Sequence, residues 1–185
     1  MTDSAEFETF MRSYQDMVFT HAVRLLGNHA EAQDIAQEVF LKAYDRFAQL
    51  KSSPTVGGWL KTVTRNLCLN HLTRYRKRWR VFSDMRRNDS EEESISYEET
   101  LAAPDRSDAD ERTSNQREIL QAALAGLPET QRVALTLYHF ENMPYQAIAD
   151  RLRISLSKVK TDISRGREVL RKRLESRRVE LEIES

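Results

Sequence analysis

Apolar residues recur at intervals of three and four along the first 48 residues, the spacing that predicts amphipathic helices. The first predicted helix spans residues 4–26 and ends before Gly27, because glycine adopts the left-handed conformation of a helix C-cap at little cost. The second spans residues 29–48, after Asn28, whose side chain can cap it. The predicted inner faces comprise Phe7, Phe10, Met11, Tyr14, Val18, Ala22 and Leu25 in the first helix, and Ile35, Val39, Ala43 and Phe47 in the second.

A third helix is predicted from about Gly58 to Arg78. It follows a loop at residues 49–57 that Pro54 and Gly57 interrupt. One face is apolar and is expected to pack inward, with Trp59, Leu60, Val63 and Leu67. Another face is a polar stripe of Thr62, Asn66, Asn70, Thr73 and Lys77.

Residues 82–112 differ in composition, since they contain DSEEES and PDRSDADE and few large apolar residues. Such a segment buries too little surface to offset its chain entropy, which predicts a flexible linker. Helical spacing resumes at residues 114–126, and Pro128 begins the next helix, where its missing N–H is tolerated. The apolar positions of this second unit are Leu120, Ala123, Leu124, Leu127, Val133, Leu135, Leu137 and Phe140.

Residues 144–174 have the pattern of a short helix, a tight turn and a longer basic helix, which is typical of a helix-turn-helix. The inner face of the basic helix is predicted to pack on Ile148 and Leu152 of the preceding helix, with Gly166 allowing the two backbones to approach. Ser155 or Ser157 is the expected N-cap. That inner face comprises Leu156, Val159, Ile163, Gly166 and Leu170.

Composition favours an all-α chain of two small domains, because 185 residues include only five Gly and four Pro and show no alternation of strand type. The formal net charge of zero conceals segregation. Residues 51–80 and 151–178 each carry a net charge of +8, and the acidic residues 81–115 between them carry −7. Two cationic blocks on separate helical units fit a polyanion that is held at two places.

The sequence lacks signs of catalysis, cofactor binding, metal binding or membrane insertion. No glycine-rich phosphate loop, HExxH or paired-cysteine motif is present, and the four histidines are scattered. Neither a run of eighteen apolar residues nor a signal peptide is found, so a cytoplasmic protein is expected. Cys68, the single cysteine, is expected to be an inert, partly buried thiol.

Two signatures together resemble the extracytoplasmic-function (group IV) bacterial sigma factors. The first is AEAQDIAQEVFLKAY at residues 30–44, followed by WLKTVTRNLCLNHLTRYRKR at residues 59–78. The second is LAGLPETQRVALTLYHFENMPYQAIADRLRIS at residues 124–155, followed by LSKVKTDISRGREVLRKRL. The resemblance implies a promoter-specificity subunit of RNA polymerase. Its expected organisation is a region 2 bundle at residues 1–80, a flexible acidic linker at 81–113, a region 4 helix-turn-helix at 114–178 and an acidic tail at 179–185.

The resemblance also implies partners for particular residues of the first half. The expected protein partner is the core polymerase, with its β and β′ subunits. A face of the second helix would dock on the clamp coiled coil of the β′ subunit with Asp34, Gln37, Glu38 and Leu41. The third helix and the preceding loop would capture the non-template strand of the −10 element with Lys51, Ser52, Ser53, Lys61, Arg65, Asn66, Asn70 and Arg74. The loop Lys51–Val56 resembles the family loop that holds a flipped base. Core packing is favoured for Trp59, whereas DNA contact and plain surface are equally open for Tyr75 and Trp79.

In the second half, the basic helix would read the −35 duplex with Ser157, Lys158, Lys160, Thr161, Ser164, Arg165 and Arg167. Two residues depart from the family pattern. Asp162 stands where a basic residue is common; an acid in the groove would repel phosphate, although it can also accept a hydrogen bond from a cytosine amino group. Arg153 replaces a common glycine in the turn. The resemblance further implies an anti-sigma partner.

Two other functions are consistent with parts of the sequence. A stand-alone helix-turn-helix regulator would bind a duplex operator tightly without polymerase, whereas a sigma factor would need the core enzyme. A small nucleic-acid hydrolase would need a carboxylate or histidine cluster, and no spacing in the sequence indicates one.

Overall fold

A computed structural model describes the backbone of residues 2–83 and 113–183, and the side chains of residues 4–74 and 116–177. The regular structure of these residues is helical throughout, as the sequence predicts. The predicted flexible linker falls largely on residues 84–112, and Tyr75 and Trp79 have side chains beyond residue 74, so these predictions lie outside the described residues. The helices are α1 (Thr2–Leu26), α2 (His29–Asp45), α3 (Phe47–Leu50), α4 (Val56–Ser83), α5 (Thr113–Ala125), α6 (Glu129–His139), α7 (Tyr145–Leu152) and α8 (Leu156–Ile183).

The first half is a bundle in which α1 packs on α2 and α4. Asn28 caps α2 as predicted, because its Oδ1 accepts hydrogen bonds from the Ala30 and Glu31 N–H groups at 2.9 and 3.1 Å. The predicted second helix is divided in the structure: α2 ends at Asp45, and Phe47 begins the four-residue α3 with its ring still buried. The fully buried side chains of this bundle include Val18, Ala22, Leu25, Val39, Ala43 and Leu60.

Helix α4 begins at Val56 and continues to Ser83, so it is longer at both ends than the predicted helix. Trp59 is partly buried against the core, as the sequence favours. Cys68 on the same helix is fully buried, and burial raises the pKa of its thiol well above the usual range. The thiol is therefore inert, and more deeply buried than predicted.

The second half packs α5, α6 and α7 against α8. The predicted inner face of α8 is largely confirmed, since Val159 and Ile163 are fully buried. Two details of that prediction are wrong. Leu156 is 36% exposed, because it stands at the first position of the helix, beyond the end of the packed face. Gly166 approaches α6 rather than α7, and a Cβ at that position would lie 3.4 Å from the Cβ of Gln131.

The turn between α7 and α8 has the geometry of a helix-turn-helix. Arg153 ends α7 in the left-handed conformation, with φ 53° and ψ 46°, at the position where the family commonly has glycine. The Ile154 N–H then donates to the Ala149 carbonyl at 3.0 Å. Of the two predicted N-caps, Ser155 fills the role, because its Oγ accepts a hydrogen bond from the Lys158 N–H at 3.1 Å.

The two halves meet where Arg132 of α6 reaches the end of α1. Its guanidinium donates three hydrogen bonds, to the carbonyls of Leu25 at 3.1 Å, Leu26 at 2.9 Å and Leu127 at 3.2 Å. Burial lowers the pKa of Arg132, yet these acceptors compensate the desolvated cation. Gly27 makes this approach possible, since it has φ +66° and a Cβ there would lie 2.8 Å from the guanidinium carbon.

Gly27→Ala is expected to lower the free energy of unfolding by about 2 kcal/mol. A left-handed backbone alone costs a residue with a Cβ about 1–2 kcal/mol, and the new methyl group would also displace Arg132 from its acceptors. Urea unfolding followed by circular dichroism measures the change. Gly126→Ala is the matched control, because its Cβ would meet only the tip of the exposed Arg173 side chain, which can move aside. Equal stability of the two variants would contradict the assigned role of Gly27.

Candidate nucleic-acid interface

The outer face of α8 is cationic and open to solvent. Six of the seven residues predicted to bind duplex DNA are exposed, and Thr161 is half-buried. Because α8 follows the turn and begins at Leu156, these side chains lie on its first three turns, the part of a recognition helix that enters a major groove. The exposed residues are Ser157, Lys158, Lys160, Ser164, Arg165 and Arg167.

Asp162 does not lie in the groove-facing surface, so that sequence prediction is wrong. Its position is three residues after Val159 and four before Gly166, which places it on the inner face of α8, where it is 2% exposed. Both carboxylate oxygens contact the Lys158 ammonium, at 2.6 and 2.7 Å. Asp162 therefore orients a lysine that the sequence assigns to DNA, and it partly neutralises that lysine.

Arg167 is held from the side by two residues of α6. Its Nε donates a hydrogen bond to Nε2 of His139 at 3.1 Å, and its guanidinium carbon lies 5.2 Å from the centre of the Tyr138 ring. Burial and the positive charge of Arg167 both lower the pKa of His139, which favours the neutral imidazole that accepts this bond. Arg167 is thus positioned on the cationic face before any ligand arrives.

The second cluster of candidate residues lies on α4 and on the loop that precedes it. Lys51 and Ser52 are exposed in the loop, and the Lys51 ammonium lies 3.1 Å from a carboxylate oxygen of Glu6. Ser53 Oγ lies 3.1 Å from the Thr55 hydroxyl oxygen, which stabilises the loop conformation. On α4, Lys61 and Asn70 are half-buried and Arg74 is exposed.

Arg65 and Asn66 differ from the other candidates on α4, because they contact the second half of the chain. Arg65 donates a hydrogen bond to a carboxylate oxygen of Glu141 at 3.4 Å. The Asn66 side-chain oxygen accepts a hydrogen bond from Arg151 of α7 at 2.5 Å. The sequence predicts neither contact. Arg65 and Glu141 are 76 positions apart, and Asn66 and Arg151 are 85 positions apart, so the pairs leave no local pattern.

Glu141 is the centre of this contact and is 6% exposed. Its other oxygen lies 2.8 Å from Nε2 of His21, although the two atoms are not aligned for a hydrogen bond. Arg24 is close enough that the charge of Glu141 raises its pKa, against a larger lowering by burial. The guanidinium of Arg24 also lies 4.2 Å from the centre of the Phe140 ring. Two cations of the first half, Arg24 and Arg65, therefore lie beside one buried carboxylate of the second half.

A third candidate surface lies on α2. The residues predicted to bind polymerase are all exposed, and their spacing of three and four places them on one side of the helix. Leu41 is 67% exposed and Tyr44, one turn further, is 55% exposed. Acidic groups beside exposed apolar side chains are suited to a protein partner rather than to DNA. The predicted set comprises Asp34, Gln37, Glu38 and Leu41.

A helix-turn-helix with a cationic recognition helix, joined to a helical bundle, defines the class of DNA-binding proteins that read duplex DNA through one helix. Comparison with known families is more specific: residues 10–80 match Sigma-70 region 2, and residues 117–170 match Sigma-70, region 4. The chain belongs to the extracytoplasmic-function RNA polymerase sigma factors, and it is an alternative sigma factor rather than a stand-alone regulator.

Similar proteins come from three different bacteria. SigE of Mycolicibacterium smegmatis, an extracytoplasmic-function sigma factor, is 32% identical over 171 residues, which cover 89% of this chain and 60% of that protein. The RNA polymerase sigma-H factor of Pseudomonas aeruginosa is 32% identical over 177 residues, which cover 94% of this chain and 88% of that protein. SigW of Bacillus subtilis is 27% identical over 175 residues, which cover 93% of this chain and 90% of that protein.

No helix within residues 2–83 and 113–183 is both long and apolar enough to cross a membrane. Within the same residues, no group of three or more His, Cys, Asp or Glu side chains is placed to hold a metal ion.

Lys158→Ala is expected to destabilise the chain more than Asp162→Asn, although the two side chains form one ion pair. Loss of Lys158 leaves the buried carboxylate without its ammonium partner, which should cost about 3 kcal/mol. Loss of the Asp162 charge leaves a lysine that is 49% exposed and that water can solvate, so about 1 kcal/mol is expected. Urea unfolding measures both, and Lys160→Ala, at a neighbouring exposed position, should change stability by less than about 0.5 kcal/mol. If Lys158→Ala is as mild as Lys160→Ala, Asp162 does not depend on Lys158.

Proposed function

We propose that this sigma factor holds a promoter at two places: the outer face of α8 reads the −35 duplex, and α4 with its preceding loop captures the non-template strand of the −10 element. The observation that carries the proposal is the exposed cationic face on the first turns of α8, directly after a helix-turn-helix turn. Lys and Arg neutralise phosphates, whereas Arg, Lys, Ser and Thr also bond to base edges.

The surface on α2 would bind the clamp coiled coil of the β′ subunit in a core polymerase of β and β′ subunits. Leu41 supports this role, because so large an exposed fraction of an apolar side chain is stabilised once a partner covers it. The adjacent Asp34 and Glu38 would add electrostatic complementarity to a basic partner. An anti-sigma factor that covers the same surface would exclude the polymerase, which gives a simple means of control.

The proposed activity requires no chemical step by this chain. Capture of the opened strand favours the melted state of the promoter through differential binding alone. An initiation factor of this kind needs neither a catalytic site nor a cofactor. The family resemblance and the polymerase and promoter partners that it implies favour a cytoplasmic protein.

The double substitution Lys160→Ala with Arg165→Ala should reduce promoter-specific transcription by purified core polymerase by at least about tenfold, since each lost base or phosphate contact costs about 1–3 kcal/mol. Run-off transcription on a pool of genomic fragments, with start-site mapping, supplies the promoters and the measurement. The matched control is Arg171→Ala with Lys172→Ala, which removes the same charge from the same helix at residues that are 63% and 65% exposed. Equal losses in the two variants would mean that α8 contributes only general charge.

Glu38→Lys should weaken binding of the chain to core polymerase by about tenfold, because it places a cation on the acidic surface of α2. Fluorescence anisotropy of the labelled chain, titrated with core enzyme, measures the affinity. Glu175→Lys is the control, since both glutamates are exposed and both form an i,i+4 pair, with Lys42 at 4.0 Å and with Arg171 at 3.1 Å. Unchanged affinity of Glu38→Lys would remove α2 from the polymerase interface.

A further inference from the structure

The surface of α4 that is assigned to the −10 strand is partly occupied by the second half of this same chain. Arg65 contacts the carboxylate of Glu141, which belongs to the segment between α6 and α7. The next residue, Asn66, accepts a hydrogen bond from Arg151 of α7. Arg65 retains a side-chain exposure of only 19% in this arrangement. A strand that used these two side chains would have to displace both contacts.

Glu141, one of the two groups that occupy α4, resembles a nucleic-acid phosphate in its chemistry. A carboxylate bonded to a guanidinium takes the place of a phosphate, because both are anions with several acceptor oxygens. Asn side chains are suited to hydrogen bonds with base edges. The side-chain oxygen of Asn66 instead accepts a hydrogen bond from the Arg151 guanidinium. The charge of the contact also fits, since a buried anion of one half faces a cation of the other.

Glu141 is the charge that makes this contact favourable. Arg65 donates a hydrogen bond to its carboxylate, and Arg24 is close enough that the charge of Glu141 opposes the lowering of the Arg24 pKa by burial. Burial, and in addition the positive charge of Arg65, lowers the pKa of Arg151. Burying several cations together is unfavourable unless an anion compensates them. Without the charge of Glu141, separation of the two halves would return these cations to water.

We propose that Glu141 and Arg151 form a mask over the strand-binding surface of α4, so that the second half of the chain and single-stranded DNA compete for Arg65 and Asn66. This inference rests on the proposed −10 role of α4. In the masked state the cationic outer face of α8 remains exposed, because none of its residues takes part in these contacts. The free chain would then bind single-stranded DNA weakly, while its α8 face stays accessible to duplex DNA.

The test compares Glu141→Gln with Glu175→Gln in the full-length chain. Both substitutions preserve the shape of the side chain and raise the net charge by one, but Glu141 is 6% exposed at the mask whereas Glu175 is 60% exposed on α8. The probe is a fluorescein-labelled single-stranded DNA of twelve mixed nucleotides, followed by anisotropy. Glu141→Gln should bind it about tenfold more tightly than Glu175→Gln, as expected when about one chain in ten is open before the substitution.

A second measurement reports the mask without DNA. Cysteines introduced at the exposed Gln33 of α2 and Ser176 of α8 accept a pair of fluorophores, while the fully buried Cys68 stays unlabelled. Energy transfer between the labels should fall in Glu141→Gln and stay at the wild-type level in Glu175→Gln. Matching helical circular dichroism spectra confirm that both variants are folded. Adding Arg74→Ala, on the exposed part of α4, should lower the affinity of Glu141→Gln for the probe.

The outcomes separate this inference from the proposed function. Tighter binding together with lower energy transfer supports the mask. Unchanged binding and unchanged energy transfer overturn the mask, while the transcription results for α8 and α2 stand. Lower energy transfer without tighter binding also overturns the mask, and it shows in addition that α4 does not bind single strands, so that the −10 assignment fails.

Discussion

The arrangement of the two halves depends on one desolvated guanidinium. Arg132 is 7% exposed, and a buried cation must find acceptors within the protein. The end of α1 supplies them, because the last carbonyls of a helix have no partners of their own and carry partial negative charge. The bonds to Leu25 and Leu26 fix α6 against α1, and Gly27 keeps the space open. With α6 in this place, the segment that follows it reaches α4.

The arrangement of the halves explains why the cationic surfaces of α8 and α4 differ in exposure. The face of α8 projects away from the contact between the halves, so its lysines and arginines meet solvent. The side of α4 that carries Arg65 and Asn66 lies at the contact, so these two residues meet Glu141 and Arg151 instead. The two surfaces carry similar chemistry in the sequence. Their different exposure arises only when the halves come together.

The spacing of apolar residues along the sequence predicted most of the helices and the exposed face of α8. Helical spacing located buried residues of α1 and α2 such as Val18, Leu25 and Val39. The stop at Gly27 and the cap at Asn28 follow from the conformational preferences of single residues. Asp162 shows the limit of such reasoning. The family pattern suggested the groove, but the spacing of Asp162 from Val159 and Gly166 placed it on the inner face, where an ion pair with Lys158 made burial tolerable. Spacing was the better guide than residue type.

Contacts between the halves could not be predicted in the same way, because they depend on residues far apart in sequence and on the geometry of both bundles. Arg132, Glu141 and Arg151 look like ordinary surface charges in the sequence, yet each has acceptors or counter-charges more than 75 positions away. Burial of an ionisable side chain is informative for this reason. A charged side chain in water is solvated and needs no protein partner. A buried charged side chain needs acceptors or a counter-charge, so its partners identify the surface against which it packs. In this chain those surfaces are the end of α1 and the side of α4 that carries Arg65 and Asn66.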